Sequence, residues 1–178
     1  DWAASSIYSE WPSLIAAELA SFRWPLTTVE DVRRLLQCQH ARVHDLCLCE
    51  FTGAVREANQ RAHGVPTLSV DIRASAVPGI HACLDVRHII WLRPRWRRLY
   101  CFPPCTHQTL SDTTGLASKH LDGRMFRAIL FLLLLWCICA SELVIEQPDT
   151  VLPPFLFTPT QRLFTCPFAD RLAKCINL

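Results

Sequence analysis

Apolar residues in this chain come in short runs, and each run ends on a charged or turn-forming residue. Leu46-Cys47-Leu48-Cys49 leads into Glu50-Phe51-Thr52-Gly53, and Thr67-Leu68-Ser69-Val70 leads into Asp71. His81 to Asp85 is a third, shorter run, and Leu99-Tyr100-Cys101-Phe102 stops at Pro103-Pro104. Leu143-Val144-Ile145 ends on Glu146, two residues before Pro148. Short apolar runs bounded by turn residues predict buried strands. Helical spacing follows the first run from Ala54 to about Ala62, and Asp122 to Ala140 predicts a long apolar helix. Upstream, residues 12–22 and 28–39 predict two short helices, the second opened by Thr28 with Asp31 in a capping-box position. Strands alternating with helices predict an α/β sandwich on a mostly parallel sheet. Residues 1–42 are then a short, peripheral helical N-terminal segment, and residues 43–178 form one domain. The tail from Val151 is rich in Pro and Phe and has no clear period.

Composition narrows the class. With 178 residues, 51% apolar and 19% charged, the chain can bury a real core, which excludes wholesale disorder. A net charge of +2 excludes a polybasic tail. Cysteine pairs occur as C-x-C (Cys47 and Cys49, Cys137 and Cys139) and C-x-x-x-C (Cys101 and Cys105), with no C-x-x-C. The expectation is mostly buried, reduced thiols in an intracellular, reducing compartment, with no metal site and no secretory leader. Ala128 to Ala140 is the longest apolar stretch. As a helix it spans roughly 20 Å, short of a ~30 Å hydrocarbon core, so a helix buried on nearly all sides is expected rather than a membrane span. A short membrane-associated protein built around that stretch is the weaker alternative.

Open α/β sheets bind ligands at the carboxyl ends of their strands. Read in order, those ends carry Glu50 with Gly53, then Asp71, Asp85, Cys105 and Glu146. A glycine after the first strand lets a ligand approach the backbone, and Asp71 lies 18 residues beyond Gly53, near the spacing of a carboxylate that grips ribose hydroxyls. The front half therefore reads as a nucleoside-binding unit, or, more plainly, as a strand ended by Gly53 and a turn capped by Asp71. Arg93, Arg95, Arg97 and Arg98 with Trp91, Trp96 and Tyr100 form a basic and aromatic cluster. Arg95, Arg97 and Arg98 are candidates for phosphate contact, or the cluster is a solvated loop with its tryptophans packed inward. His107 lies two residues after Cys105 and would be placed to assist its deprotonation.

Five segments, C-E-F-T-G-A-V-R-E-A (49–58), S-V-D-I-R (69–73), L-D-V (84–86), F-P-P-C-T (102–106) and V-I-E-Q-P (144–148), occur in an order that resembles the DNA cytosine-5 methyltransferases, especially small phage-type members. The likeness covers about residues 44–165 and implies a Rossmann-like fold that uses S-adenosylmethionine on cytosine-containing DNA. It implies that Glu50, Phe51 and Gly53 hold the methionine part of the cofactor, Asp71 its ribose and Asp85 its adenine. Cys105 matches the nucleophile and Glu146 the glutamate that binds the cytosine ring. The chain departs from the pattern where Val55 and Arg56 follow Gly53, where Gln147 replaces an asparagine, and where Thr106-His107-Gln108 follow the cysteine. A catalytically silent methyltransferase-like binding or structural subunit is the second reading, since 178 residues leave no room for a full target-recognition domain.

Overall fold

A computed structural model describes residues 11–107, 115–148, 162–164 and 175–177. The chain divides into two compact units, Asp1–Tyr100 with Ile138–Leu143, and Cys101–Cys137 with Val144–Leu178.

The first unit opens with helices α1 (Ser13–Ala20) and α2 (Val29–Gln37). Thr28 caps α2 as its sequence predicts, its hydroxyl oxygen accepting from the Asp31 N–H at 3.1 Å. Their inner faces are buried: Leu19, Val32 and Leu35 are fully buried, and Leu26 between the helices bridges in parallel to Ala82. Residues 11–42 fall in the same compact unit as the strands that follow.

Strand β1 (Asp45–Leu48), helix α3 (Ala54–His63), strands β2 (Thr67–Asp71) and β3 (His81–Cys83), and a 3₁₀ turn (Val86–His88) continue this unit. Strand β4 (Trp96–Cys101) follows, and β5 (Ala140–Ile145) comes after helices α4 (Leu116–Leu121) and α5 (Arg124–Trp136). The five strands form an all-parallel sheet in the order β3-β2-β1-β4-β5, an α/β Rossmann-like fold. Register pairs Asp45 with Thr67 and Leu48 with Val70, then Ser69 with His81 and Asp71 with Cys83. Every residue of β1 and β2 is buried, although only β1, Asp45 apart, reads as an apolar run. A three-stranded antiparallel sheet, β6 (Gln147–Pro148), β8 (Cys175–Asn177) and β7 (Arg162–Phe164), belongs to the second unit.

The predicted apolar helix differs in two ways. It does not run from Asp122 to Ala140: α5 starts at Arg124, after Gly123 at φ +77°, and ends at Trp136, Ala140 being the first residue of β5. Nor is α5 buried all round. Leu132 and Leu135 are buried, while Phe126, Leu130, Leu133 and Trp136 are exposed. No helix among the described residues is long and apolar enough to cross a membrane.

Strand β2 alternates Thr67, Ser69 and Asp71 with Leu68 and Val70, a pattern that ordinarily puts its polar face in water. Here that face is buried against α3, which turns inward not an apolar stripe but Arg56, Asn59 and Gln60. Asn59 donates to Asp45 Oδ2 at 2.9 Å and to Thr67 Oγ1 at 2.8 Å. Arg56 is fully buried and donates to Ser69 Oγ at 3.0 Å, Ser75 Oγ at 3.3 Å, the Val77 carbonyl at 3.4 Å and the Pro78 carbonyl at 3.1 Å. A buried guanidinium is tolerable only because its planar fork is met on several sides.

Truncation of Arg56 leaves those acceptors unpaired. Arg56→Met is expected to lower the unfolding free energy by about 3–5 kcal/mol, with Arg56→Lys between it and the parent. Urea denaturation checks this, and a loss below about 1 kcal/mol for Arg56→Met would contradict it.

Candidate functional site

The turn after β1 is made by one strained residue and one glycine. Cys49 takes φ +57°, a left-handed conformation that few side chains adopt, and it turns the chain out of the strand. Glu50, 4% exposed, folds back over the turn: its Oε1 accepts from the Gly53 N–H at 2.6 Å and from the Thr52 hydroxyl. The Thr52 hydroxyl oxygen accepts in turn from the Ala54 N–H at 3.2 Å. Glu50 and Thr52 thus satisfy N–H groups at the start of α3, where a carboxylate is also favoured by the helix dipole. The second oxygen, Glu50 Oε2, is buried with no hydrogen-bond partner.

Gly53 is required here on two counts. Its φ is +82°, and a Cβ would stand 2.3 Å from Val77 Cγ2 and 2.7 Å from the Arg56 guanidinium. At Gly79 a Cβ would lie 2.3 Å from the same guanidinium. Arg56, on the helix that follows the turn after β1, therefore holds the loop after β2, and with Val77 it leaves no room for a side chain at Gly53 and by itself none at Gly79. Its place in the sequence, where the resemblance leads one to expect a further glycine, is filled by a structural clamp.

Asp71, at the end of β2, is 5% exposed. Its Oδ1 accepts from the Arg73 backbone N–H at 2.9 Å and from Arg73 Nε at 3.2 Å, and Oδ2 meets the guanidinium again at 3.5 Å. The Arg73 guanidinium carbon stands 3.6 Å from the centre of the Phe51 ring. Asp85, after β3, caps the 3₁₀ turn by accepting from the Arg87 N–H at 2.9 Å. The Arg87 side chain holds the Asp85 carboxyl down to about 2. Burial, reinforced by the charges of Asp71 and Asp85, pushes the Cys49 thiol up to about 12. Cys49 is thus a neutral thiol between two carboxylates, and an inert one. Glu50, Phe51, Gly53, Asp71 and Asp85 all lie at the carboxyl ends of three neighbouring strands, and the strand order reverses between β1 and β4, next to the first of them.

His81 ties this edge together from beneath. Its Nε2 lies 2.9 Å from the Arg73 carbonyl, which only accepts, so Nε2 carries the proton and Nδ1 accepts from the Ser69 hydroxyl at 2.9 Å. Ser69 accepts in turn from Arg56. Burial holds His81 below the ordinary imidazole range, against the Arg73 carbonyl, which favours the charged form.

Arg97 and Arg98 take a different place. Both reach Asp45, which is fully buried at the amino end of β1: Arg97 through Nε at 2.8 Å and a second nitrogen at 2.9 Å, Arg98 at 3.2 Å. Arg98 also pairs with Glu142 at 3.1 Å. Burial works to raise the Asp45 carboxyl, and the hydrogen bonds from Arg97, Asn59 and Arg98 outweigh it, leaving Asp45 below its usual range. These two arginines therefore hold the amino edge of the sheet, opposite Glu50 and Asp71, because an internal carboxylate needs them there. Trp96 is buried and offers no stacking face, while Arg95 and Trp91 are exposed.

In the second unit, Cys105 is half-buried in the turn after Pro103-Pro104. The Glu146 N–H donates to the Cys101 carbonyl at 2.9 Å, and Gln147 Nε2 donates to the Pro103 carbonyl at 3.2 Å. The E-Q-P segment is thereby laced to the F-P-P-C segment. Gln147, a departure from the expected asparagine, is one of the laces. Lys119, 6% exposed on α4, donates to the Thr106 carbonyl at 2.7 Å and holds the residue after the cysteine. His107 Nδ1 is buried with no hydrogen-bond partner. Arg56, Arg73 and Lys119 escape a reading by motif, although Arg73 lies inside the S-V-D-I-R segment; nothing in a one-dimensional pattern marks a cation as buried. Among the described residues no group of three or more His, Cys, Asp or Glu stands where it could hold a metal ion.

This geometry defines a Rossmann-like α/β protein with a carboxylate-rich, glycine-turned carboxyl edge. No protein-family model, curated protein or solved structure matches the chain.

The depressed imidazole of His81 sets a pH dependence. The unfolded imidazole binds a proton below about 6.5 while the buried one does not, so His81 contributes stability above that pH that is lost as the pH falls. Urea midpoints from pH 7.5 to 5 are expected to fall. His81→Gln is expected to remove up to about 1.4 kcal/mol per pH unit of that slope; an unchanged slope would contradict it. His44, which burial also holds low, accounts for part of the remainder.

Proposed function

We propose that the chain is a cytosine-5 methyltransferase domain that takes a methyl group from S-adenosylmethionine and acts on DNA. The observation that carries this reading is the lacing of the two reactive segments, Glu146 to Cys101 and Gln147 to Pro103, which ties the E-Q-P carboxylate segment to the cysteine turn. The residues at the carboxyl edge also suit the cofactor's chemistry. A buried carboxylate at Asp71 suits a ribose diol, and the Phe51 face, which takes the Arg73 cation, suits a cationic sulfonium or a flat base.

S-adenosylmethionine, when bound, supplies an electrophilic methyl group. Glu50, Phe51 and Gly53 would hold its amino-acid end, Asp71 its ribose hydroxyls and Asp85 its adenine amine. Carbon 5 of cytosine is a poor nucleophile. Addition of the Cys105 thiolate to carbon 6 makes the ring electron-rich at carbon 5, which then accepts the methyl group. Loss of the proton from carbon 5 and expulsion of the Cys105 sulfur restore the ring. The Glu146 carboxyl would hydrogen-bond ring N3 and the exocyclic amine, stabilising the charge that builds as sulfur adds. The base must leave the stack to be reached, at a cost of a few kcal/mol. Exposed Arg95 is the remaining candidate of its cluster for a backbone phosphate, Arg97 and Arg98 being engaged by Asp45.

A second reading, a catalytically silent relative that serves as a binding subunit, is favoured by Arg56. It fills the space beside Gly53, where the methyltransferase pattern has further glycines.

Transfer of labelled methyl groups to cytosine-containing DNA separates the two. The parent is expected to transfer label and to be trapped covalently by DNA containing 5-fluorocytosine. Cys105→Ser is expected to abolish both, and Glu146→Gln to slow transfer by roughly 100-fold or more. Cofactor binding with neither transfer nor trapping would leave the silent reading standing.

A further inference from the structure

We propose that Arg73 is a built-in latch on the cofactor edge: its guanidinium occupies the Asp71 carboxylate and the Phe51 face in the free protein and must swing away when a nucleoside binds. This rests on the reading of Asp71 and Phe51 as cofactor contacts.

The latch has a fixed base and a free head. At the base, the Arg73 carbonyl is held by His81 at 2.9 Å, and His81 is held by Ser69, so the backbone is pinned. Its own N–H is pinned by Asp71 Oδ1 at 2.9 Å. At the head, the side chain is 59% exposed, while the Asp71 side chain it covers is only 6% exposed. The long Arg73 side chain turns about its own bonds without disturbing either anchor. The guanidinium stacks at 3.6 Å on the Phe51 ring and meets Asp71 at 3.2 and 3.5 Å. It is planar and cationic, and it pairs with a carboxylate through N–H groups.

A ligand that displaces it must offer the same three properties: a hydroxyl pair or other donors for Asp71, a flat or cationic group for Phe51, and no bulk between them. An adenosyl sulfonium does so, whereas a nucleotide phosphate at this position would be repelled by Asp71. Holding the latch shut lowers apparent affinity by the fraction of molecules in which it is open. An ion pair whose guanidinium is more than half exposed and a cation–π contact made by that same exposed head are each weak, so the penalty is a modest one.

The test is calorimetric titration with S-adenosylhomocysteine at 50 and 300 mM salt, using the parent, Arg73→Ala and Asp71→Asn. Arg73→Ala is expected to bind about three- to tenfold more tightly than the parent at low salt. The gap is expected to narrow at high salt, which screens the Arg73–Asp71 pair. Asp71→Asn is expected to bind at least about tenfold more weakly than Arg73→Ala. Equal or weaker binding by Arg73→Ala, with the parent still binding, would overturn the latch and leave the cofactor reading intact. No binding by the parent or by Arg73→Ala at millimolar ligand would overturn both.

Discussion

The buried guanidinium of Arg56 is the constraint on which the carboxyl edge of the sheet depends. It is donated to a serine on β2, a serine in the following loop and two loop carbonyls, and it leaves no room for a Cβ at Gly53 or Gly79. A charge in the interior is costly, so the chain around it must supply acceptors at fixed positions. Those positions fix the turn after β1 and the loop after β2, the two segments that carry Glu50, Phe51, Gly53 and Arg73. Ser69 passes the same constraint to His81, and His81 passes it to the Arg73 carbonyl. One side chain thereby orders the segments that follow β1 and β2 and, through Ser69, the first residue of β3. The remainder of the polar seam, Asn59 with Asp45 and Thr67, does the same at the opposite edge, where Arg97 and Arg98 complete the charge balance.

This division of labour separates carboxylates fully tied into the fold from those at the carboxyl edge, which the proposed function gives to a ligand. Asp45 is surrounded by donors on every side that its burial allows. Glu50 keeps one oxygen unpartnered, and Asp71 is covered by a side chain more than half exposed. Carboxylates used only for stability are generally satisfied in full. The unpartnered oxygen of Glu50, with Asp71 held by a largely exposed side chain at the edge where the strand order reverses, is what singles that edge out.

Much of the architecture could be read from the chain in one dimension. The strand at 45–48 was legible as a short apolar run, the strand at 67–71 as an apolar and polar alternation bounded by turn residues, and the helix from Ala54 by its spacing after Gly53. The Thr28 cap was legible because its chemistry is local. The separate short helix α4 and the exposed face of α5 were not. An all-apolar helix carries no periodicity from which its buried side can be told. The assignment of Arg97 and Arg98 to Asp45 could not be read either, since their partner is some fifty residues away in the chain. Arg56 was read as a departure from a glycine-rich turn, and only the geometry shows it to be the reason that turn holds.

The account stands or falls on whether the edge organised by Arg56 takes up an adenosyl ligand. Amide hydrogen exchange, with and without saturating S-adenosylmethionine, tests this most directly. Binding is predicted to slow exchange in residues 49–54 and 69–74 while leaving the amino edge around Asp45 and Arg97 unchanged. Exchange that is the same in both segments at millimolar cofactor would contradict it.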